Sequence, residues 1–155
     1  MDSNQVGELI NRYLRVTFTV TKRASTLIKG QMCDDITDDQ FYILRHIHHS
    51  GKTTSTDLAE IFEVKKSAIT AIITRLVDKG LIERTRDMED RRIVYLTLSE
   101  SGLDLFAKTE EKINRLVAMF LNKLESEEVE AFLQTYEKLS DILLDIKEDN
   151  LEEKE

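Results

Sequence analysis

Proline is absent from this 155-residue chain, and glycine occurs only five times. Because both residues interrupt helices, their scarcity favours a mostly helical protein over a sheet-rich one. A single cysteine excludes an internal disulfide framework and fits a reducing compartment. No run of 18 apolar residues is present to span a membrane, and the N-terminus lacks a basic-then-apolar signal pattern. We therefore expect a soluble cytoplasmic protein.

Recognisable catalytic and metal-binding patterns are also missing. There is no nucleophile–base–acid set and no glycine-rich phosphate loop, so we expect neither an enzyme nor a cofactor. Three histidines cluster at positions 46, 48 and 49. Only the outer two approach the spacing of helical metal ligands, and histidines are common at helix C-termini, so no metal site is expected. Cys33 precedes two acids, which disfavour a reactive thiolate and leave open whether it senses oxidants.

Positive charge is scarce overall, since the formal net charge is −8, but it is unevenly distributed. Residues 65–92 hold eight Lys/Arg against five Asp/Glu, whereas residues 125–155 hold three bases and twelve acids. The local field matters more than the total for docking onto a polyanion. The middle of the chain is therefore the candidate surface for nucleic acid.

Apolar periodicity predicts six helices and one hairpin, in the order four helices, two strands, two helices. The first helix is expected at about 4–30. Capping boxes at Thr37/Gln40 and Thr54/Asp57 predict the starts of the second and third helices. The strands are expected at 81–85 and 93–98, and Ser99 and Ser126 are expected to cap the last two helices.

The third and fourth helices have predicted buried stripes. Leu58, Ala59, Ile61 and Phe62 form the stripe of the third, and Ile69, Ile72, Ile73 and Leu76 that of the fourth. The opposite face of the fourth helix carries only small side chains, namely Ser67, Thr70, Ala71 and Thr74. An acid-free face of hydroxyls and methyls suits a helix that enters a DNA groove, although a bland solvated face would look similar. Lys65 and Lys66 stand at its N-terminus, where amides and the helix dipole favour phosphate.

The segment from Leu58 to Gly102 resembles the winged-helix core of the MarR family of bacterial transcriptional regulators. Its ordered motifs are the two short helices, the segment KGLIER, the wing DMEDRR and the motif LSESG. The resemblance covers nearly the whole chain, because long flanking helices dimerise in that family. Two positions depart from its pattern: Lys65 stands where a capping Ser or Asp is common, and Ala71 where a longer polar residue is common.

The resemblance implies that the fourth helix enters the major groove and that a wing arginine enters the adjacent minor groove. Asp90 would brace an arginine at the tip, and the choice between Arg91 and Arg92 stays open. A self-compensating surface turn is the alternative reading of the wing. The candidate DNA-binding residues are Thr54, Lys65, Lys66, Ser67, Ala68, Thr70, Ala71, Thr74, Arg75, Arg84, Arg86, Asp90, Arg91 and Arg92.

The expected fold is mostly α, with a winged helix-turn-helix core and a small β-hairpin wing between long dimerisation helices. Residues 1–33 form an N-terminal dimerisation helix, 34–100 the DNA-binding lobe (helix-turn-helix 54–79, wing 81–98), 100–150 C-terminal dimerisation helices and 151–155 an acidic tail. Rich apolar stripes on the terminal helices favour a homodimer.

These features predict a homodimeric, sequence-specific regulator of transcription that binds a palindromic operator in double-stranded DNA. A repressor is expected, and the choice between repression and activation stays open. The resemblance implies relief by a small, often aromatic, effector whose pocket no short motif marks. The alternative is a winged-helix protein–protein module without DNA binding, which the overall acidity favours.

Overall fold

The computed structural model describes residues 3–32 and 36–146. It contains six helices and two strands: α1 (Ser3–Lys29), α2 (Asp38–Ser50), α3 (Ser55–Ile61), α4 (Lys66–Asp78), β1 (Ile82–Arg86), β2 (Val94–Leu98), α5 (Glu100–Leu121) and α6 (Ser126–Asp145). The mostly helical class with a hairpin wing is confirmed. No described helix is long and apolar enough to cross a membrane. The chain divides into two compact units, Met1–Asn114 and Arg115–Glu155.

Both predicted capping boxes are present. The Thr37 hydroxyl accepts from the Gln40 amide at 3.3 Å, and the Gln40 side chain accepts from the Thr37 amide at 3.2 Å. Thr54 and Asp57 make the same exchange at 3.2 and 3.0 Å. Because each pair satisfies two otherwise orphan amides, these short sequence patterns fix where α2 and α3 begin.

Three described residues with positive φ separate successive elements of the fold. Gly51, at φ 72°, ends α2. Glu63, at φ 50°, lies in the break between α3 and α4, and Gly80, at φ 72°, ends α4 and turns the chain into β1. The expected buried stripe of α3 was wrong at Ile61, whose side chain is 53% exposed. Only Leu58 is fully buried on α3, because a seven-residue helix offers little length for an inward face.

One apolar core joins α2, α3, α4, the hairpin and the start of α5. Leu58, Ile69, Ile73 and Leu76 are at most 1% exposed, so α4 is held by its inward face. The predicted inward residue Ile72 is only partly buried. Fixing this face leaves the opposite face of α4 in solvent.

The hairpin is short and antiparallel, pairing Ile82 with Leu98 at its base and Arg86 with Val94 near its tip. Thr53, just before α3, adds an isolated bridge to β2, and its carbonyl accepts from the Leu96 amide at 2.8 Å. The wing is therefore attached to the helix-turn-helix by backbone hydrogen bonds as well as by packing.

The long helices α1 and α6 each present uncovered apolar surface. Neither has a buried residue among those described, and large side chains such as Phe18 (69% exposed) on α1 and Tyr136 (58%) on α6 lie in solvent. The expected cap of α6 was wrong by one residue. Glu125 occupies the N-cap, and its amide donates to the Glu128 carboxylate at 2.9 Å, so a Glu pair replaces the expected Ser126 cap.

Candidate nucleic-acid interface

The outward face of α4 carries small polar residues and no acid through its first two turns. Ser67, Thr70, Ala71 and Thr74 are all exposed, as the periodicity predicted. Ala68 and Arg75 flank this face and are exposed as well. The side chains are short, so the helix backbone can approach a groove wall closely, and there is no carboxylate to repel phosphate.

The two threonine hydroxyls on this face have different partners. The Thr70 hydroxyl donates to the Lys66 carbonyl at 2.8 Å, within its own helix. The Thr74 hydroxyl accepts from the Arg84 guanidinium at 3.3 Å. In this arrangement the Thr70 hydroxyl oxygen can still accept a hydrogen bond from DNA, and the Thr74 hydroxyl can still donate one. The contact from Arg84 also ties β1 to α4, so it brings two predicted site residues together.

The N-terminus of α4 has no side-chain cap. Lys65 occupies the N-cap position without a side-chain hydrogen bond to the first turn, and Lys65 and Lys66 are exposed. The first amides of a helix lack intrahelical acceptors, and the helix dipole is positive at this end. The departure from a capping Ser or Asp therefore leaves an anion-attracting end between two lysines.

Thr54 is placed differently from the other candidates. It is half-buried, and its hydroxyl both donates to the Asp57 carboxylate at 2.8 Å and accepts from the Asp57 amide. The hydrogen bonds that the Thr54 hydroxyl and the Thr54 amide donate to the carboxylate lower the pKa of Asp57. The Thr54 side chain is therefore committed to capping α3.

The wing tip is a turn organised by two aspartates. One Asp87 carboxylate oxygen accepts from the amides of Glu89 and Asp90, at 2.8 and 2.9 Å, which lowers the pKa of Asp87. Asp90 accepts from Arg92 through Nε at 3.0 Å, Nη2 at 2.9 Å and the backbone amide at 3.1 Å. These bonds lower the pKa of Asp90 and raise that of Arg92.

The wing arginines differ in how they are held. Arg92 forms an ion pair with Asp90, yet its side chain remains 90% exposed. Arg86 donates through Nη1 to the Arg91 carbonyl at 2.9 Å and so closes the turn across the hairpin. The Arg91 side chain is exposed and makes no hydrogen bond or ion pair with the described part of the chain. The expected brace by Asp90 thus acts on Arg92.

Sequence patterns gave no signal for three features near this surface. Thr53 anchors β2, Lys52 places its ammonium 4.9 Å from the centre of the Tyr95 ring, and Met88 projects from the wing tip. The first two depend on contacts between distant parts of the chain. Met88 lies in a charged run that periodicity does not describe.

Two of the three clustered histidines, His46 and His49, line a shallow pocket of about 380 Å³ together with Tyr42, Arg45 and Phe62. His46 shares a hydrogen bond of 3.0 Å with the Ser50 hydroxyl, and His49 lies 3.8 Å from the Glu110 carboxylate. Within the described ranges, no group of three His, Cys, Asp or Glu side chains could hold a metal ion. Cys33 and the acidic tail lie outside the described residues.

Comparison with known proteins identifies relatives over parts of the chain and over most of it. The MarR family model matches residues 36–94. The uncharacterised HTH-type transcriptional regulator YwhA of Bacillus subtilis is 29% identical over 140 residues, which cover 90% of this chain and 96% of that protein. The HTH-type transcriptional repressor MdtR of Bacillus subtilis is 33% identical over 94 residues, 61% of each chain.

Two solved structures extend the comparison to three dimensions. A MepR-like protein complexed with pseudoligands is 36% identical, with a TM-score of 0.62, over 86% of this chain and 95% of that one. A mutant MarR from E. coli complexed with operator DNA is 25% identical, with a TM-score of 0.72, over 84% of this chain and 94% of that one.

Proposed function

We propose that this chain, which belongs to the MarR family, is a homodimeric DNA-binding repressor that recognises a palindromic operator and is released by a small effector. The observation that carries the proposal is the acid-free face of α4 beside a wing that presents a braced arginine. The MarR structure with operator DNA, which shares the fold over 84% of this chain, supports it. The name of MdtR supports the repressor role.

In this proposal α4 lies in the major groove. The groove is about 12 Å wide and admits a helix. Ser67, Thr70 and Thr74 face the base edges, and the methyls of Ala71 and the threonines can meet thymine methyls. Lys65 and Lys66 contact phosphate at the helix N-terminus, and Arg75 and Arg84 flank the same groove.

Arg92 is the arginine that we assign to the minor groove. Its bidentate pair with Asp90 limits the conformations of a long side chain before DNA arrives, while 90% of that side chain stays exposed. A narrow minor groove concentrates negative potential and accommodates a planar guanidinium. Arg91, which has no such brace, is assigned to the phosphate backbone, and Arg86 to holding the turn.

The uncovered apolar faces of α1 and α6 support the proposed dimer. Side chains such as Leu14 (59% exposed) and Phe18 would be a solubility liability in a monomer. We assign these faces to the interface with a second copy. Two-fold symmetry then sets the recognition helices roughly 34 Å apart, one turn of DNA, so the operator is an inverted repeat.

Effector release is supported by the MepR-like structure with pseudoligands and by the pocket beside α2. Tyr42 and Phe62 offer aromatic walls, and Arg45 offers a fixed positive charge. These groups suit a small aromatic anion. Binding there displaces the lobe that carries α4 and changes the spacing of the two recognition helices.

Selection of bound fragments from the source genome tests the proposal. Fragments that survive competitor DNA should share an inverted repeat with half-sites centred about 10 base pairs apart. The complex should contain two chains per site, and deleting the chain should raise transcription from the adjoining promoter.

The Arg45→Ala variant should still bind the fragment but should no longer be released from it by aromatic acids. Recovery of no common site would contradict sequence-specific binding, and recovery of isolated half-sites would contradict the dimer.

A further inference from the structure

Met88 is more exposed than any other large apolar side chain among the described residues, with 93% of its surface in solvent. It lies in the turn between β1 and β2, at the wing tip. Exposed apolar side chains on α1 and α6 belong to continuous stripes, whereas Met88 is surrounded by charged residues. Its exposure is therefore not explained by the dimer surface proposed above.

The backbone around Met88 is firmly held. The preceding Asp87 accepts from the amides of Glu89 and Asp90, at 2.8 and 2.9 Å, and its own amide donates to the Ile93 carbonyl at 2.9 Å. The Ile93 amide in turn donates to the Asp90 carbonyl at 3.0 Å. The turn thus holds an apolar side chain outward instead of letting it fold back onto the hairpin.

Net charge alone does not attract this tip to DNA. Residues 87–92 contain three acids and two arginines, and Arg92 is already paired with Asp90. Beside the contacts assigned to Arg91 and Arg92, the tip can therefore gain affinity from a contribution other than charge. Apolar side chains, methionine included, supply one in minor-groove proteins, where they pack against sugars or wedge into base steps. Methionine is unbranched and polarisable, so it adapts to irregular groove walls.

We propose that Met88 enters the minor groove beside Arg92 and packs its thioether against the sugar and base walls of the operator. The inference rests on the proposed DNA binding and adds an apolar contact that neither the family motifs nor the charge pattern assigns. Because the side chain starts almost fully exposed, burying half or more of it should tighten binding about fivefold to tenfold.

The test measures the affinity of the full-length chain for an operator fragment recovered by selection, at several salt concentrations. Met88→Ala and the polar near-isostere Met88→Gln should weaken binding about fivefold to tenfold. The slope of log K against log salt should stay as in the wild type, because no phosphate contact is lost. Met88→Leu, which keeps the apolar bulk, should stay within about twofold of the wild type. Hydroxyl-radical footprints should lose minor-groove protection at the operator flanks with Met88→Ala.

The outcomes separate this inference from the proposed function. Wild-type affinity in Met88→Ala, or equal losses in all three variants, would overturn the contact made by Met88 and leave DNA binding intact. A changed salt slope in Met88→Ala would show that the wing had moved, and would also overturn it. If the wild-type chain binds no DNA at low salt, both the proposed DNA binding and the inferred contact of Met88 are contradicted.

Discussion

Gly102, the glycine of the LSESG motif, is the position where a single methyl group should be most disruptive. A Cβ built on Gly102 would lie 2.0 Å from the Leu81 carbonyl oxygen and 2.9 Å from its carbonyl carbon. Both atoms are backbone, so no side-chain rotation relieves the overlap. Ser99 fastens the same junction, since its amide donates to the Leu81 carbonyl at 3.0 Å and its hydroxyl donates to the Gly80 carbonyl.

Gly102→Ala should therefore force α5 and the start of the hairpin apart by about 1 Å, the gap between 2.0 Å and the 3.0 Å lower limit of real Cβ contacts. Overpacking costs about 1–3 kcal/mol, and weakening a hydrogen bond at Ser99 adds about 1 kcal/mol. The better helix propensity of alanine offsets about 0.5–1 kcal/mol of this destabilisation. We expect a net loss of about 1–3.5 kcal/mol, which lowers Tm by roughly 2–14 °C in a chain of this size.

The loss of stability in Gly102→Ala can be measured by thermal and urea unfolding at fixed protein concentration. Ser101→Ala is the matched control. Ser101 is the exposed neighbour of Gly102, so its substitution should change the free energy of unfolding by less than about 0.5 kcal/mol. Equal stability of Gly102→Ala and Ser101→Ala would refute the close approach of α5 to Leu81. It would also remove the physical reason for glycine in this motif.

Four further substitutions test the wing, the outer face of α4 and the cap of α3. Arg92→Ala should weaken operator binding roughly 5- to 100-fold, as expected for a groove contact. Arg91→Ala should weaken binding less and should mainly reduce the salt dependence of the affinity. Gel-shift titrations would rank the two variants, and the opposite ranking would assign the minor groove to Arg91. Thr70→Glu should abolish binding at unchanged Tm, because it places an acid on an exposed helix face, and a lost fold would mean that this face is buried. Thr54→Ala should cost about 0.5–2 kcal/mol of stability. It should also move the pKa of Asp57 part of the way back toward its ordinary value, because the hydroxyl hydrogen bond that lowers it most is lost while the hydrogen bond from the backbone amide of residue 54 remains. A depressed folded-state pKa contributes stability above the unfolded pKa that is lost as pH falls through the folded one. The stability gap between Thr54→Ala and the wild type should therefore narrow on acidification, and NMR titration of Asp57 checks the cause.

Local sequence signals predicted the helix starts well because each rests on neighbouring residues. Thr37 with Gln40 and Thr54 with Asp57 form their capping boxes within one turn, and the periodicity of α4 separates Ile69 from Thr70 by geometry alone. The errors came where local signals are weak. Ile61 lies at the end of a seven-residue helix that buries only Leu58, and at the start of α6 either Ser126 or the Glu125/Glu128 pair could have supplied the cap.

The candidate site shows the same division. Exposure of the α4 face could be predicted from helical periodicity, and the brace by Asp90 was implied by the resemblance of the wing to its family. The choice of Arg92 as the braced arginine needed coordinates, since Arg91 and Arg92 are adjacent and chemically identical. The hydrogen bond between Arg84 and Thr74 spans ten residues and depends on how the hairpin packs on α4. Thr53 carries no periodic or motif signal, and Met88 lies within the DMEDRR wing motif without a role that the motif assigns to it.

The central claim, that the outer face of α4 and the wing form a DNA-binding surface, is tested most directly by one titration. The full-length chain would be titrated with mixed genomic fragments at about 50 and 200 mM salt, beside Thr70→Glu as a folded control. The account predicts that a dimer binds at the lower salt, that affinity falls steeply at the higher salt, and that Thr70→Glu does not bind. Absence of wild-type binding at low salt, or equal binding by Thr70→Glu, would contradict it and favour a winged-helix module that binds protein instead.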